Sequence, residues 1–305
     1  MYDLIVVGGG PAGMTAALYA LRNGKTVLVL EKTGFGGQIT HSPKVENWPG
    51  TARMSGNEFA DAFLEQILDQ GAEVDLSEAV RVEDHGAYKT VYTAEGETRE
   101  AKAVILATGV RHRELGLPGE REMTGEGVSY CAVCDGDFFK DRKVCVAGGG
   151  NSALQEALLL AGKCSEVVML QDLPEFTGEK TLQDLLFARE NVSARTGVRI
   201  VDLEMDENVR LTGVTIETAE GEKETIPCDG LFVAIGLIPE NEAFASVAAL
   251  DQWGYFDSPE SCATGTPGVF AAGDCRAKSI RQLTTAAADG TIAALAACRY
   301  VDSLA

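Results

Sequence analysis

Residues 3–31 read DLIVVGGGPAGMTAALYALRNGKTVLVLE, and residues 143–171 read KVCVAGGGNSALQEALLLAGKCSEVVMLQ. The two stretches align without a gap at an offset of 140 residues. Each is a short apolar strand, a glycine-rich turn, an amphipathic helix and a second apolar strand, the βαβ unit that carries a dinucleotide fingerprint. In the first copy Gly8 permits the tight turn, Gly10 lets the backbone approach a pyrophosphate, and Gly13 lets helix and strand pack closely. Pro11 and Ala12 open the helix, whose N-terminus offers amides to the phosphates. Glu31 ends the second strand, placed to bind an adenosine ribose hydroxyl. The second copy keeps its turn with Gly148, Gly150 and Ala153 but has Gln171 where the first has Glu31.

Outward from these units, Thr108-Gly109 follows the strand Ala103-Val104-Ile105-Leu106, and Gly273-Asp274 follows Val269-Phe270-Ala271-Ala272. A strand ending in Gly-Asp can aim a carboxylate at the ribitol of FAD. Residues 73–100 and 198–228 alternate apolar and polar side chains, which predicts a small antiparallel sheet in each. The architecture is therefore α/β with two nested Rossmann-like dinucleotide-binding domains: an FAD-binding domain from 1–113 and 241–305, interrupted by an inner domain from 114–240. The chain changes domain near His112–Gly116 and Gly236–Asn241, both marked by Gly or Pro.

Composition narrows the function. A net charge of −20 argues against nucleic acid and anionic membrane as partners. No apolar run approaches the ~18 residues of a membrane span, the last candidate being interrupted by Asp289 and Gly290. The first strand starts at once, without a basic segment and cleavage site, so the cytoplasm is expected. Of eight cysteines only Cys131 and Cys134 share a recognisable spacing. The other six sit in mostly apolar surroundings, as structural thiols of a reducing compartment do.

Two cysteines at C-x-x-C spacing can close a small disulfide with one depressed thiol pKa. Half of a zinc site is the competing reading, but a structural zinc needs four ligands; the chain has no second cysteine pair and only three histidines, so no metal is expected. A purely structural pair remains a further alternative. Disulfide exchange needs a thiolate and a proton carrier. Asp135, next to Cys134, can be that carrier if burial raises its pKa; a turn residue before Gly136 is the other reading, and the chemistry leaves both open.

Together, GGGPAG at 8–13, GFGGQIT at 34–40, VENWPG at 45–50, ATG at 107–109, CAVCDG at 131–136, GGGNSA at 148–153 and GVFAAGD with RQ at 268–274 and 281–282 resemble the low-molecular-weight thioredoxin reductases over essentially the whole chain. The resemblance implies the three-layer ββα fold of the pyridine nucleotide-disulfide oxidoreductase class. It implies FAD held by Gly8, Gly10, Pro11, Ala12, Gly13, Glu31, Gly37, Gln38, Asn47, Thr108, Gly109, Gly273, Asp274, Arg281 and Gln282. It further implies that Cys134 faces the flavin, that Cys131 attacks the disulfide of a thioredoxin-like protein, that Asp135 carries the proton, and that the chain forms a homodimer.

One segment departs from that pattern. NADPH-using members carry HRRxxxR after the second strand of the inner domain, and its arginines grip the 2′-phosphate. Here the segment reads Gln171-Asp172-Leu173-Pro174-Glu175-Phe176-Thr177. Losing two charge-assisted hydrogen bonds costs roughly 3–6 kcal/mol, or about 10²–10⁴ in affinity. The pattern resembles the NAD(P)H-independent flavin thioredoxin reductases of anaerobes, which implies reduced ferredoxin as donor. NADH stays open, with Asp172 as a displaced ribose ligand. A flavin-binding regulatory protein without enzymatic activity is the alternative outside enzymes.

Overall fold

The computed structural model describes residues 1–42 and 44–304. Pro43 and Ala305 lie outside the described residues. The chain divides into two compact units, Met1–Arg111 with Ile238–Ala305, and His112–Leu237. These limits precede the expected ones because Glu240 belongs with the first unit: it forms ion pairs with Arg111 at 2.9 Å and Lys32 at 2.6 Å.

In the first unit the strand Tyr2–Val7 lies between Val27–Leu30 and Thr98–Leu106, all parallel. Glu73–Asp75 extends the sheet parallel to Val27–Leu30. The long strand Thr98–Leu106 serves two sheets' worth of partners. Its C-terminal part takes Val269–Ala271 in parallel, and its N-terminal part takes Lys89–Thr93 of an antiparallel hairpin with Ala79–Asp84. The antiparallel expectation for 73–100 therefore holds from residue 79 onward. Glu73–Asp75 is instead the edge of the parallel sheet, too short for alternation to betray its direction.

Side-chain parity builds the layers. Leu4, Val6, Val27, Val29, Ala103 and Ile105 point to one face, under the helices Pro11–Arg22 and Leu283–Ser303. Ile5, Val7, Leu28, Leu30, Val104 and Leu106 point to the other, against Val91, Phe244 and Phe256. A sheet covered on both faces reads as continuous apolar strands, which is why VVIL-type runs rather than alternation mark it. The C-terminal helix runs unbroken through Asp289 and Gly290. Among the described residues, no helix is long and apolar enough to cross a membrane.

The second unit has a five-stranded parallel sheet in the order Val192–Thr196, Glu166–Gln171, Lys143–Ala147, Gly230–Val233, Val128–Ser129. The helix Asn151–Ala161 buries Ala153, Leu154, Ala157 and Leu160 against one face. The three-stranded antiparallel sheet Val198–Met205, Leu211–Thr218, Lys223–Pro227 covers the other with Ile200, Val214 and Ile226. The two units share one strand order. They differ in where the fifth strand comes from: a segment downstream of the other four in the first unit, Val269–Ala271, and an upstream one in the second, Val128–Ser129.

Candidate functional site

The first unit encloses a cavity of 760 Å³, within the range of a ligand site. Its walls include Gly8, Gly10, Pro11, Ala12, Glu31, Gly37, Gln38, Thr108, Gly109, Asp274 and Gln282. The helix Pro11–Arg22 starts at its edge with Gly10 as N-cap and no side chain capping it. Its first amides are thus left for an anion. Gly8, at φ +108°, turns so tightly that a Cβ would stand 2.2 Å from the Ala107 carbonyl oxygen. A Cβ on Gly13 would stand 1.9 Å from the Gly8 oxygen. Gly10 is different: an added Cβ meets nothing nearer than the Gly36 oxygen at 4.0 Å. Its emptiness serves a ligand and not the packing of the chain.

Glu31 is buried and fixed. Its Oε2 accepts the Gly9 N–H at 2.7 Å, and its Oε1 accepts the Thr33 N–H and hydroxyl at 2.9 and 3.1 Å. Across the cavity Asp274 keeps one buried oxygen, Oδ1, without a hydrogen bond. Burial raises its pKa, opposed by Lys278, whose ammonium stands 3.4 Å away. A buried carboxylate oxygen held only by the Lys278 ion pair, a row of uncapped amides and an open glycine fit the ribitol and pyrophosphate of FAD.

Four expected residues are not in the cavity wall. Gly13 lies beneath the turn, as its packing role requires. Gly273, at φ +85°, aims Asp274 and donates its N–H to Asp289 at 3.1 Å. Asn47 donates to the Gln282 side chain at 3.3 Å. Arg281 donates to the Asp274 and Arg276 carbonyls, both at 3.2 Å, with its guanidinium 4.3 Å from the Tyr255 ring centre.

Residues the sequence reading did not single out complete the support. Buried Asn241 accepts the Thr108 hydroxyl at 2.7 Å and donates to the Gly254 and Cys275 carbonyls. Asp289 pairs with Arg276 at 2.8 Å and Lys278 at 3.1 Å. The signal for Asp289 was present as an acid inside an alanine-rich helix; Asn241 carried none.

In the second unit Cys131 and Cys134 form a disulfide with Cα atoms 5.3 Å apart. Cys131 is the N-cap of the helical turn Ala132–Asp135, and its sulfur accepts the Cys134 N–H at 3.2 Å. Asp135 Oδ2 accepts the Ser129 hydroxyl at 2.6 Å, and Ser129 Oγ in turn accepts the Cys131 N–H at 3.1 Å. Burial raises the Asp135 pKa, with the Ser129 bond opposing. The structure thus brings the cysteines and the proposed proton carrier into one hydrogen-bonded turn.

The glycine turn of this unit is intact, with Gly148 at φ +124° and Gly150 as N-cap of Asn151–Ala161. What surrounds it is polar or acidic. The Gln171 side chain packs over Gly149, where a Cβ would be 2.5 Å from its Nε2, and donates to the Glu175 carbonyl at 3.3 Å. The Thr177 and Gly178 amides both donate to the Gly149 carbonyl at 2.9 Å. Glu179 and Asn151 exchange two hydrogen bonds, of 2.7 and 3.1 Å, at the start of the helix.

Residues 2–290 match the pyridine nucleotide-disulphide oxidoreductase family, and the chain belongs to it. A thioredoxin reductase of Listeria innocua is 40% identical over 305 residues, covering 100% of this chain and 95% of the relative. One of Bacillus subtilis is 37% identical over 305 residues, covering 100% and 96%. The crystal structure of thioredoxin reductase from Streptococcus pyogenes superposes with a TM-score of 0.94 at 37% identity, covering 99% of each chain. Within the family the chain is of the low-molecular-weight thioredoxin reductase type, an FAD-dependent thioredoxin-disulfide oxidoreductase.

Proposed function

We propose that the chain reduces a thioredoxin-like protein through Cys131 and Cys134 with electrons from reduced ferredoxin rather than NADPH, as a cytoplasmic homodimer. The observation that carries the donor assignment is the inner nucleotide turn. Its fold is kept, yet Gln171, Asp172, Thr177 and Glu179 supply no cation for a 2′-phosphate, and Asp172 would repel one. Ferredoxin is sufficient in energy: a donor at about −400 mV reduces a thioredoxin at about −270 mV. Two of the basic residues that could receive an acidic ferredoxin are already in ion pairs, Lys143 with Glu166 and Lys180 with Asp184, both at 3.0 Å. That leaves Lys140, Arg142 and Arg189 to carry the docking.

FAD, when bound, turns single electrons into the two-electron step. The Pro11 helix N-terminus and Gly10 would hold its pyrophosphate, Glu31 its adenosine ribose, and Asp274 its ribitol, with Gly37, Gln38, Thr108, Gly109 and Gln282 lining the remainder. In the exchange itself the Cys131 thiolate attacks one sulfur of the partner disulfide, forming a mixed disulfide and breaking the partner's bond. Cys134 then attacks Cys131, and both electrons and both protons of the dithiol end on the partner. Asp135 relays the protons.

The test is anaerobic flavin bleaching with NADPH, NADH and reduced ferredoxin in parallel. Ferredoxin is expected to bleach the flavin, with docking weakened by salt; NADPH is not. Rapid bleaching by micromolar NADPH would sink the donor assignment. NADH is the second reading, favoured by Asp172 beside Gln171. In that case NADH alone bleaches, and Asp172→Ala raises its Michaelis constant.

A further inference from the structure

The strand Val128–Ser129 ends two residues before Cys131. Its backbone is fixed by parallel pairing with the inner sheet, Val128 against Leu231 and Ser129 against Phe232. Ser129 is buried, and its hydroxyl joins both ends of the redox turn. Its Oγ accepts the N–H of Cys131, the N-cap, at 3.1 Å and donates to Oδ2 of Asp135, the last residue of the turn, at 2.6 Å. A side chain held by the sheet thus grips a turn whose own disulfide opens and closes during exchange.

The two bonds also fix the direction of the hydroxyl. A serine has one proton to give. The Cys131 N–H meets a lone pair of Oγ, so the serine proton goes to Asp135 Oδ2, at a length typical of a charge-assisted O–H···O⁻ bond. Oδ2 is committed as an acceptor. The other oxygen, Oδ1, is buried without a hydrogen-bond partner among the described residues. A proton arriving at the carboxyl is therefore taken by Oδ1, since on Oδ2 it would break the short bond. Other ionisable groups facing the turn are the two cysteine thiols, Glu156 on the helix Asn151–Ala161 packed against it, and Lys163, whose ammonium pairs with Asp137 at 2.7 Å.

We propose that Ser129 is a positioning residue for disulfide exchange: anchored on the sheet, it holds Asp135 by Oδ2 in the cysteine turn, so that Oδ1 is the atom that carries the proton. The inference rests on the thiol–disulfide reading above, with Asp135 as the relay. In that relay Cys131 gives its proton to Oδ1 and attacks as a thiolate, and the departing partner sulfur takes the proton. Cys134 then gives its proton to Oδ1 and attacks Cys131, expelling the second partner sulfur, which takes that proton in turn. Two electrons and two protons reach the partner, one enzyme disulfide forms, and Asp135 ends as the carboxylate it began as. The sign of the pH effect follows. The relay starts from the carboxylate, so exchange fails as pH falls through the Asp135 pKa. Burial raises that pKa and the Ser129 bond opposes the rise, so loss of Ser129 moves the acid limb to higher pH.

The experiment is a single-turnover reaction of pre-reduced holoenzyme with oxidised thioredoxin across a pH series, for wild type, Ser129→Ala and Asp135→Asn. Ser129→Ala is expected to be slower by about tenfold at its best pH, with its acid limb displaced upward. A Ser129→Ala profile that superimposes on wild type overturns the inference, and so does a loss uniform with pH, which a merely structural role would give. An Asp135→Asn variant as fast as wild type removes the relay itself, and the inference with it. A slow Asp135→Asn beside an unaltered Ser129→Ala overturns the inference alone. Infrared difference spectra supply a second readout. As pH falls, wild type should gain a protonated carboxyl band that Asp135→Asn lacks, at the lowered frequency of a C=O that accepts a hydrogen bond; in Ser129→Ala the band should move up. Should Ser129→Ala fold poorly, the wild-type band decides: a C=O frequency free of hydrogen bonding overturns the assignment.

Discussion

At the scale of single residues, three glycines of one fingerprint have three separable jobs. A side chain at Gly13 collides with the Gly8 carbonyl at 1.9 Å, whereas one at Gly10 has 4.0 Å of clearance from the chain. Gly10→Ala is therefore expected to leave the fold of the flavin-free protein unchanged and to lower FAD content about tenfold or more, since the added methyl stands in the pyrophosphate path. Gly13→Ala should cost about 1–3 kcal/mol of stability even without FAD. Absorbance of bound flavin set against thermal unfolding of the stripped protein separates the two. Equal FAD content in Gly10→Ala and wild type would remove the phosphate from this turn. The distinction between these glycines was legible in the motif, because its spacing fixes which Cα faces a ligand and which faces a helix. The support from Asn241 was not, because it depends on Thr108, Gly254 and Cys275, far apart in the chain, meeting at one side chain.

At the scale of elements, the helix Leu283–Ser303 owes its position to the interruption that made it look discontinuous. A Cβ at Gly290 would stand 2.2 Å from the Ala12 carbonyl oxygen, so the two helices touch backbone to backbone at the start of Pro11–Arg22. Asp289, one residue earlier, holds Arg276, Lys278 and the Gly273 amide together. Asp289→Ala would leave the buried Arg276 guanidinium without its counter-ion, and a broken buried pair costs about 3–5 kcal/mol. A denaturant midpoint within error of wild type would show that the network is not structural. Hydrophobic pattern alone marks Asp289 and Gly290 as a break, whereas packing makes them the contact point. The same limit explains Glu73–Asp75. Three residues have no period to read, and their parallel pairing is imposed by Val27–Leu30.

At the scale of the whole molecule, two units of one strand order have different ligand dependence. The cavity is lined solely by residues of Met1–Arg111 and Ile238–Ala305. Ligand binding stabilises what it binds, by about 4 kcal/mol when free ligand exceeds its dissociation constant a thousandfold. Removing FAD should therefore raise amide hydrogen exchange throughout the first unit, most of all in Pro11–Arg22 and Leu283–Ser303, while His112–Leu237 keeps its protection. Equal loss in both units would mean that they unfold as one. The different source of the fifth strand also sets an order of events at the ribosome. All five parallel strands of His112–Leu237 have been synthesised by residue 233, so that unit can close while the chain is still being made. The first unit waits for Val269–Ala271, Asp274 and Gln282, near the end of translation. If Asp274 and Gln282 hold FAD as proposed, flavin capture is the last act of biosynthesis, and a chain truncated before residue 269 would carry a complete redox disulfide and no means of charging it.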